Sequence, residues 1–187
     1  LIALSYPIFP AAYLMSAGIS LPGVPASVVW PINPTRRNSV DIYAFLKKEH
    51  EKIKGLLNKL DETGDGAVKT REKLFAELKQ ELMTHSEAEE KTFYNAIREA
   101  EETHEVVLEG LEEHHVATTL LEELDALPKD DEHWGAKLSV LKENVEHHVE
   151  EEEGEMFKKA RKVLSKEQAE AIGKRMAEEK ATLMGEP

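Results

Sequence analysis

Residues 46–60 read LKKEHEKIKGLLNKL. Leu46, His50, Ile53, Leu57 and Leu60 recur at spacings of four and three, which puts them on one face of an α-helix rather than one side of a strand. Extended backwards the stripe takes in Tyr43, so a histidine occupies a core position among apolar neighbours. The stretch returns, shifted by 64, as LEEHHVATTLLEEL at 111–124, with Glu49-His50 on Glu113-His114 and Leu56-Leu57 on Leu120-Leu121. A second stretch, HSEAEEKTFYNA at 85–96, returns shifted by 63 as HVEEEEGEMFKK at 148–159. The unit is helix, turn, helix, used twice.

The same periodicity predicts helices at about 41–61, 70–100, 104–127 and 132–163, separated by Thr63-Gly64-Asp65-Gly66, residues near 102, and Pro128. Ser165, with Glu167 and Gln168 behind it, predicts a capped shorter fifth helix over 166–184. Nothing alternates with a period of two over a useful length. The fold class expected is all-α, an up-down-up-down four-helix bundle built from two helical hairpins, with a short C-terminal fifth helix.

The 187 residues carry 24 Lys+Arg against 37 Asp+Glu, a formal charge of −13. An acidic chain without clustered cations is a poor phosphate binder, so no nucleic-acid partner is expected. No residue is cysteine, which removes disulfides, thiolate metal sites, iron–sulfur clusters and a thiol nucleophile together. Any metal must be held by nitrogen and oxygen, so attention falls on the 8 histidines. No charged residue precedes Arg36, and six of the eight prolines do. The domain expectation is a Pro-rich apolar leader at 1–40, the bundle at 41–164, and a helix and tail at 165–187. Pro7 and Pro10 would break a spanning helix, and the leader lacks the basic start of a signal peptide. It reads as an unstructured leader, with an export or membrane segment and a strip packed on the domain as alternatives. A cytoplasmic protein is expected, with export or attachment through 1–35 as the alternative.

The inward stripe of helix 2 is Leu74, Leu78, Leu82, His85, Glu89, Phe93 and Ala96; that of helix 3 is Val107, Gly110, His114, Ala117, Leu121 and Leu124. Helix 4 gives Trp134, Leu138, Leu141, Val145, His148, Glu152, Met156 and Ala160. His50, His85, Glu89, His114, His148 and Glu152 therefore face the core, while His104, His115, His133 and His147 face solvent, with support of the core ligands or proton exchange as the alternative for His115 and His147. Six unpaired ionisable groups in a core would each cost several kcal/mol of desolvation. Counted at 1.5 Å per residue from the loop centres, the six fall near one level; the largest offset, His50 against His85, is about 7 Å.

Each His-x-x-x-Glu sets an imidazole and a carboxylate on one helix face, and a carboxylate can bridge two cations. Four imidazoles and two carboxylates suit two iron ions, with manganese or zinc possible; calcium and magnesium prefer all-oxygen shells. The competing readings are histidines and glutamates paired in a metal-free helical interaction domain, and a single metal. A ferritin-like set would need two Glu-x-x-His motifs facing each other, but Glu101…His104 and Glu112…His115 lie eleven residues apart near the start of one helix. Within the Glu150–Glu155 run only Glu152 is expected to point inward, the rest forming a solvated face, with a cation-attracting funnel as the alternative.

The pieces Glu49-His50, His85…Glu89-Glu90, Glu113-His114 and His148…Glu152-Glu153-Gly154-Glu155-Met156-Phe157, in that order, resemble the hemerythrin-like, HHE cation-binding family over about 41–163. The resemblance implies a four-helix bundle with a non-haem di-iron centre that meets dioxygen or related oxidants. His50, His85, His114 and His148 would be terminal ligands, and Glu89 and Glu152 bridges. Oxygen-carrying hemerythrins place a His-x-x-x-His pair on the third helix; here Gly110 and Thr118 flank His114. They also end on His-x-x-x-x-Asp, where this chain offers Glu152 or, at the longer spacing, Glu153. The more anionic shell resembles that of di-iron carboxylate proteins and favours ferric iron, peroxide, nitric oxide or iron exchange over reversible O2 carriage. The implied function is to bind or sense O2, NO or iron, with a di-iron peroxidase or NO-processing enzyme as the alternative.

Overall fold

A computed structural model describes residues 41–185; the leader expectations fall outside these residues. Helix α1 is Ile42–Asp61, begun where the Asp41 side chain accepts from the Ala44 N–H at 2.9 Å. Helix α2 is Val68–Glu89 and runs on through a π-helical segment, Glu90–Tyr94, and one α-turn, Asn95–Ile97. Helix α3 is His104–Ala126. Helix α4, Glu132–Glu151, is capped by Asp131 and runs on through a second π segment, Glu152–Met156, into Phe157–Val163. Helix α5 is Lys166–Leu183, opened by a reciprocal cap: Ser165 Oγ accepts from the Gln168 N–H, and Gln168 Oε1 accepts from the Ser165 N–H. The expected bundle with a fifth helix is what is observed, and the described residues contain no strand. No helix among them is long and apolar enough to cross a membrane.

The two π segments were not legible in the periodicity. A π-turn takes one extra residue, so every side chain beyond it moves one position around the helix. Ala96, expected on the inward stripe, is exposed, and Ile97 is buried in its place. The two segments begin within one residue of the same point of the repeat, just after Glu89 in one copy and at Glu152 in the other.

The core is two apolar clusters with a polar layer between them. One contains Ile53, Leu57, Phe75, Leu82, Leu121 and Trp134; the other contains Tyr43, Leu46, Phe93, Tyr94, Met156 and Phe157, together with Ile172 and Met176 of α5. Arg71, 4% exposed, ties the α1–α2 and α3–α4 connections together. It donates to Thr63 Oγ1 at 2.9 Å, Thr63 O at 3.0 Å, Asp65 Oδ1 at 3.0 Å and Lys129 O at 2.7 Å, and it stacks over Trp134. Burying so much of a guanidinium is tolerable because its donors meet acceptors. Helix α5 lies on α1 and α2 rather than standing free. Its Lys180, 8% exposed, makes ion pairs with Glu49 of α1 and, at 2.9 Å, with Glu81 of α2.

Candidate metal centre

All six inward residues meet in the polar layer, and none is more than 6% exposed. The 7 Å offset expected between His50 and His85 does not keep them apart: their ring centroids are 5.1 Å from each other. His85 and His114 are 6.4 Å apart and His114 and His148 4.7 Å, so four imidazoles from four helices form one cluster.

The carboxylates lie between imidazoles of different hairpins. Glu89 Oε2 is 3.6 Å from Nε2 of His85 and 3.6 Å from Nε2 of His114. Glu152 Oε2 is 3.0 Å from Nε2 of His50 and 3.7 Å from Nε2 of His148. Both oxygens of Glu89 and both of Glu152 are buried with no hydrogen-bond donor, and His50 Nε2 likewise has no partner in hydrogen-bond geometry. Glu89, His114 and His148 offer donor atoms within 4.8 Å of one another.

A ring of outer carboxylates, which periodicity alone assigns to solvent, sets the orientation of the imidazoles. Nδ1 of His114 meets Glu90 Oε1 at 2.9 Å, Nδ1 of His50 meets Glu153 Oε1 at 2.9 Å, and Nδ1 of His148 meets Glu113 Oε2 at 2.8 Å. A carboxylate accepts only, so each Nδ1 carries the proton and each Nε2 is left with a lone pair directed into the layer. Nε2 of His114 and Nε2 of His148 then face each other at 3.3 Å. Two lone pairs at that distance, among carboxylate oxygens that lack donors, fit a cation held between them. A metal-free core would instead have to add protons to an imidazole or a carboxyl to serve these oxygens, none of which has a donor in hydrogen-bond geometry.

Glu153 therefore departs from the solvated face expected of Glu150–Glu155; only its neighbour Glu152 enters the core, and Glu153 serves His50 from outside. A signal exists in the sequence, because Glu89-Glu90 and Glu152-Glu153 are the same pair in the two repeats. Each second glutamate reaches across to the histidine of the other hairpin. His104, His115, His133 and His147 are exposed as expected.

Tyr94 carries no signal of its own in the sequence, yet it borders the layer. Its ring stacks on His114 at 5.4 Å with 7° between the planes, and its buried hydroxyl has no partner. The phenol occupies the space beside Gly110, where an added Cβ would come 2.5 Å from Oη. The missing third-helix imidazole at 110 and the inward tyrosine are one feature: a side chain at 110 would need the space that the phenol fills.

The electrostatics divide the charges. Burial, and then the Glu152 charge, push Glu89 well above the usual carboxylate range. Burial acts the same way on Glu152, but His50, 3.0 Å away, outweighs it and brings Glu152 down to about 2, while Glu152 and Glu153 together raise His50 against its own burial. Burial and the neighbouring His50 push His85 well below the usual imidazole value, and burial also lowers His114. A neutral imidazole and an ionised carboxylate are the ligating forms. Beside this layer lies a cleft of about 220 Å³ whose lining includes His148 and Glu152.

Comparison with known proteins agrees with this chemistry. Residues 41–160 match the hemerythrin HHE cation binding domain. Among solved structures, the chain is similar to a hemerythrin HHE cation binding domain-containing protein from Mycobacterium kansasii, at 28% identity and a TM-score of 0.70, covering 78% of this chain and 88% of that one. No curated protein matches.

Proposed function

The chain belongs to the hemerythrin HHE cation-binding family, and from that premise we propose that it holds two iron ions in the bundle core and binds or senses O2, NO or iron there. The ligands in this reading are His50, His85, His114 and His148, with Glu89 and Glu152 as bridges. The observation that carries it is the set of buried acceptors facing one another: four carboxylate oxygens without a donor, and imidazole Nε2 atoms turned inward by outer carboxylates. His50 and His85 would serve one ion and His114 and His148 the other. Each bridging glutamate already has an oxygen between imidazoles of both pairs. Nitrogen and oxygen donors without sulfur suit iron or manganese, and zinc remains a chemical alternative.

Bound iron would supply redox chemistry and open positions for a small ligand. The residues of this chain do the rest. Glu90, Glu113 and Glu153 hold imidazole protons on Nδ1, which keeps the inward nitrogens basic. The apolar clusters on either side keep bulk water from the layer. Metal analysis of purified protein should give close to two ions per chain, with a sharp loss in His85→Ala and in Glu152→Ala. Full metal content in both variants overturns the assignment.

A second reading, a di-iron peroxidase or NO-processing enzyme, is favoured by Tyr94. Its buried hydroxyl, unpartnered and stacked beside His114, can hold or give a proton at the layer without exposing it to water. Rapid mixing separates the two. A stable oxygenated adduct supports binding, whereas repeated turnover of peroxide, slowed in Tyr94→Phe, supports the enzyme.

A further inference from the structure

Glu113 has different neighbours on its two oxygens. Oε2 accepts from His148 Nδ1 at 2.8 Å, while Oε1 lies 3.8 Å from Nε2 of His147, which lies 3.5 Å from Oε1 of Glu151. His147 and His148 are consecutive, and the ~100° step between helical neighbours turns one imidazole into the core and the other outward. Glu151 is one turn beyond His147 on the same face. The three side chains offer donor atoms within 4.8 Å of one another, and the two imidazole–carboxylate distances, 3.8 and 3.5 Å, are short enough for one cation at ~2.1 Å from each atom.

The trio is not the buried centre. His147 is 61% exposed and Glu151 44% at the side chain, against 15% for Glu113, so water could complete the shell of a bound ion. Glu113 and Glu151 line the 220 Å³ cleft between α3 and the end of α4, along with Glu105, Glu109 and Glu155. The lysine in its lining, Lys159, is paired with Glu155 at 2.7 Å. The cleft also reaches Glu152, which is 1% exposed and has no donor on either oxygen. The cleft thus runs from a buried, unpartnered carboxylate to the two glutamates of a half-open His/Glu trio.

We propose that Glu113, His147 and Glu151 form a transit site for a divalent cation, where ferrous iron or manganese exchanges part of its water for protein donors before moving along the cleft to the core. The inference rests on the metal-centre reading above. A fully hydrated ion is too large and too strongly solvated to enter a packed helical core directly. Partial dehydration at an acidic, half-open site divides that cost into steps, and the negative walls raise the local cation concentration.

The test is the rate at which metal-free, full-length protein takes up ferrous iron under anaerobic conditions, followed to its endpoint. Both His147 and Glu151 are exposed, so His147→Ala/Glu151→Gln leaves the fold intact. This double variant should load about tenfold more slowly and reach the same final metal content. Glu109→Gln, which removes one charge from the cleft wall outside the trio, should slow loading by less than about threefold. Wild-type loading rates in the double variant overturn the transit site, and so does an equal slowing by Glu109→Gln, which would reduce the effect to general charge. An endpoint without metal in the wild type overturns the metal-centre reading itself, and this inference with it.

Discussion

His85 and Glu49 are related by the internal repeat to His148 and Glu113, but only the second pair is hydrogen-bonded. Glu113 accepts from His148 Nδ1 at 2.8 Å, whereas His85 Nδ1 is buried without a partner and Glu49 is paired with Lys180 of α5. The fifth helix has no counterpart within the repeat, so it breaks the approximate two-fold symmetry on one side of the layer. Three of the four imidazoles have a carboxylate behind them, and His85 does not.

That asymmetry carries a first prediction. Outer-carboxylate contacts are worth about 10–100-fold in metal affinity. The ion on the His50/His85 side should leave first, so chelation of loaded protein should give two phases rather than one. In Glu113→Gln the slow phase should accelerate by about 10–100-fold and approach the fast one. Stopped-flow chelation with a chromogenic chelator reads both rates, and a single phase in the wild type would refute the asymmetry.

Most of the fold was legible because amphipathic periodicity and turn residues agree along 41–184. Ala96 marks where periodicity failed. A π-turn is a backbone accommodation of packing beyond Glu89, and no residue type at 90–94 announces it. The inward His and Glu positions were legible as polar interruptions of an apolar face. Glu90, Glu113 and Glu153 sit on flanks where a solvated glutamate looks the same; the repeated Glu-Glu pair hints at Glu90 and Glu153, but only the distance to a histidine of another helix shows what the three do. Tyr94 was hidden for a related reason: the inward stripe read from the sequence runs through Phe93 and leaves Tyr94 out, and the tyrosine's meaning appears only with Gly110 opposite.

A second prediction concerns Arg71. Its contacts join the Thr63–Asp65 turn, the Lys129 carbonyl and the Trp134 ring, so truncation unties the two connections and uncovers the Trp134 ring at one end of the bundle. Arg71→Ala should cost about 2–4 kcal/mol of unfolding free energy, as measured by urea denaturation. Metal stoichiometry should stay unchanged, since the metal layer lies on the other side of an apolar cluster. Loss of metal together with stability would show that the loops position the site.

A third prediction tests the fit of Tyr94 against Gly110. An added Cβ would lie 2.5 Å from Oη, 3.1 Å from Cζ and 3.2 Å from Cε2 of Tyr94. Gly110→Ala should therefore destabilise by about 1–3 kcal/mol through overpacking, despite the better helix propensity of alanine. Tyr94→Phe removes the closest atom of the clash, so the double variant should be more stable than the sum of the single effects, with a coupling of about 1 kcal/mol or more. Additive effects would mean that the phenol moves freely and does not define the space at 110.

The last prediction is the response to metal removal. Two apolar clusters flank the polar layer, and each draws on all four long helices, so the bundle should remain folded without metal. The layer is the weak plane. Without a cation, two glutamates and four imidazoles share one buried volume, and the opposite shifts of Glu89 and Glu152 describe one carboxyl kept neutral while the other stays ionised against His50. Metal binding replaces that arrangement with ligand bonds and, at free metal about a thousandfold above Kd, stabilises by roughly 4 kcal/mol. Chelation should lower Tm substantially while the far-ultraviolet circular dichroism stays helical at room temperature, and adding iron back should restore Tm. A Tm that does not respond to chelation would count against a metal-dependent core and in favour of a metal-free helical interaction domain.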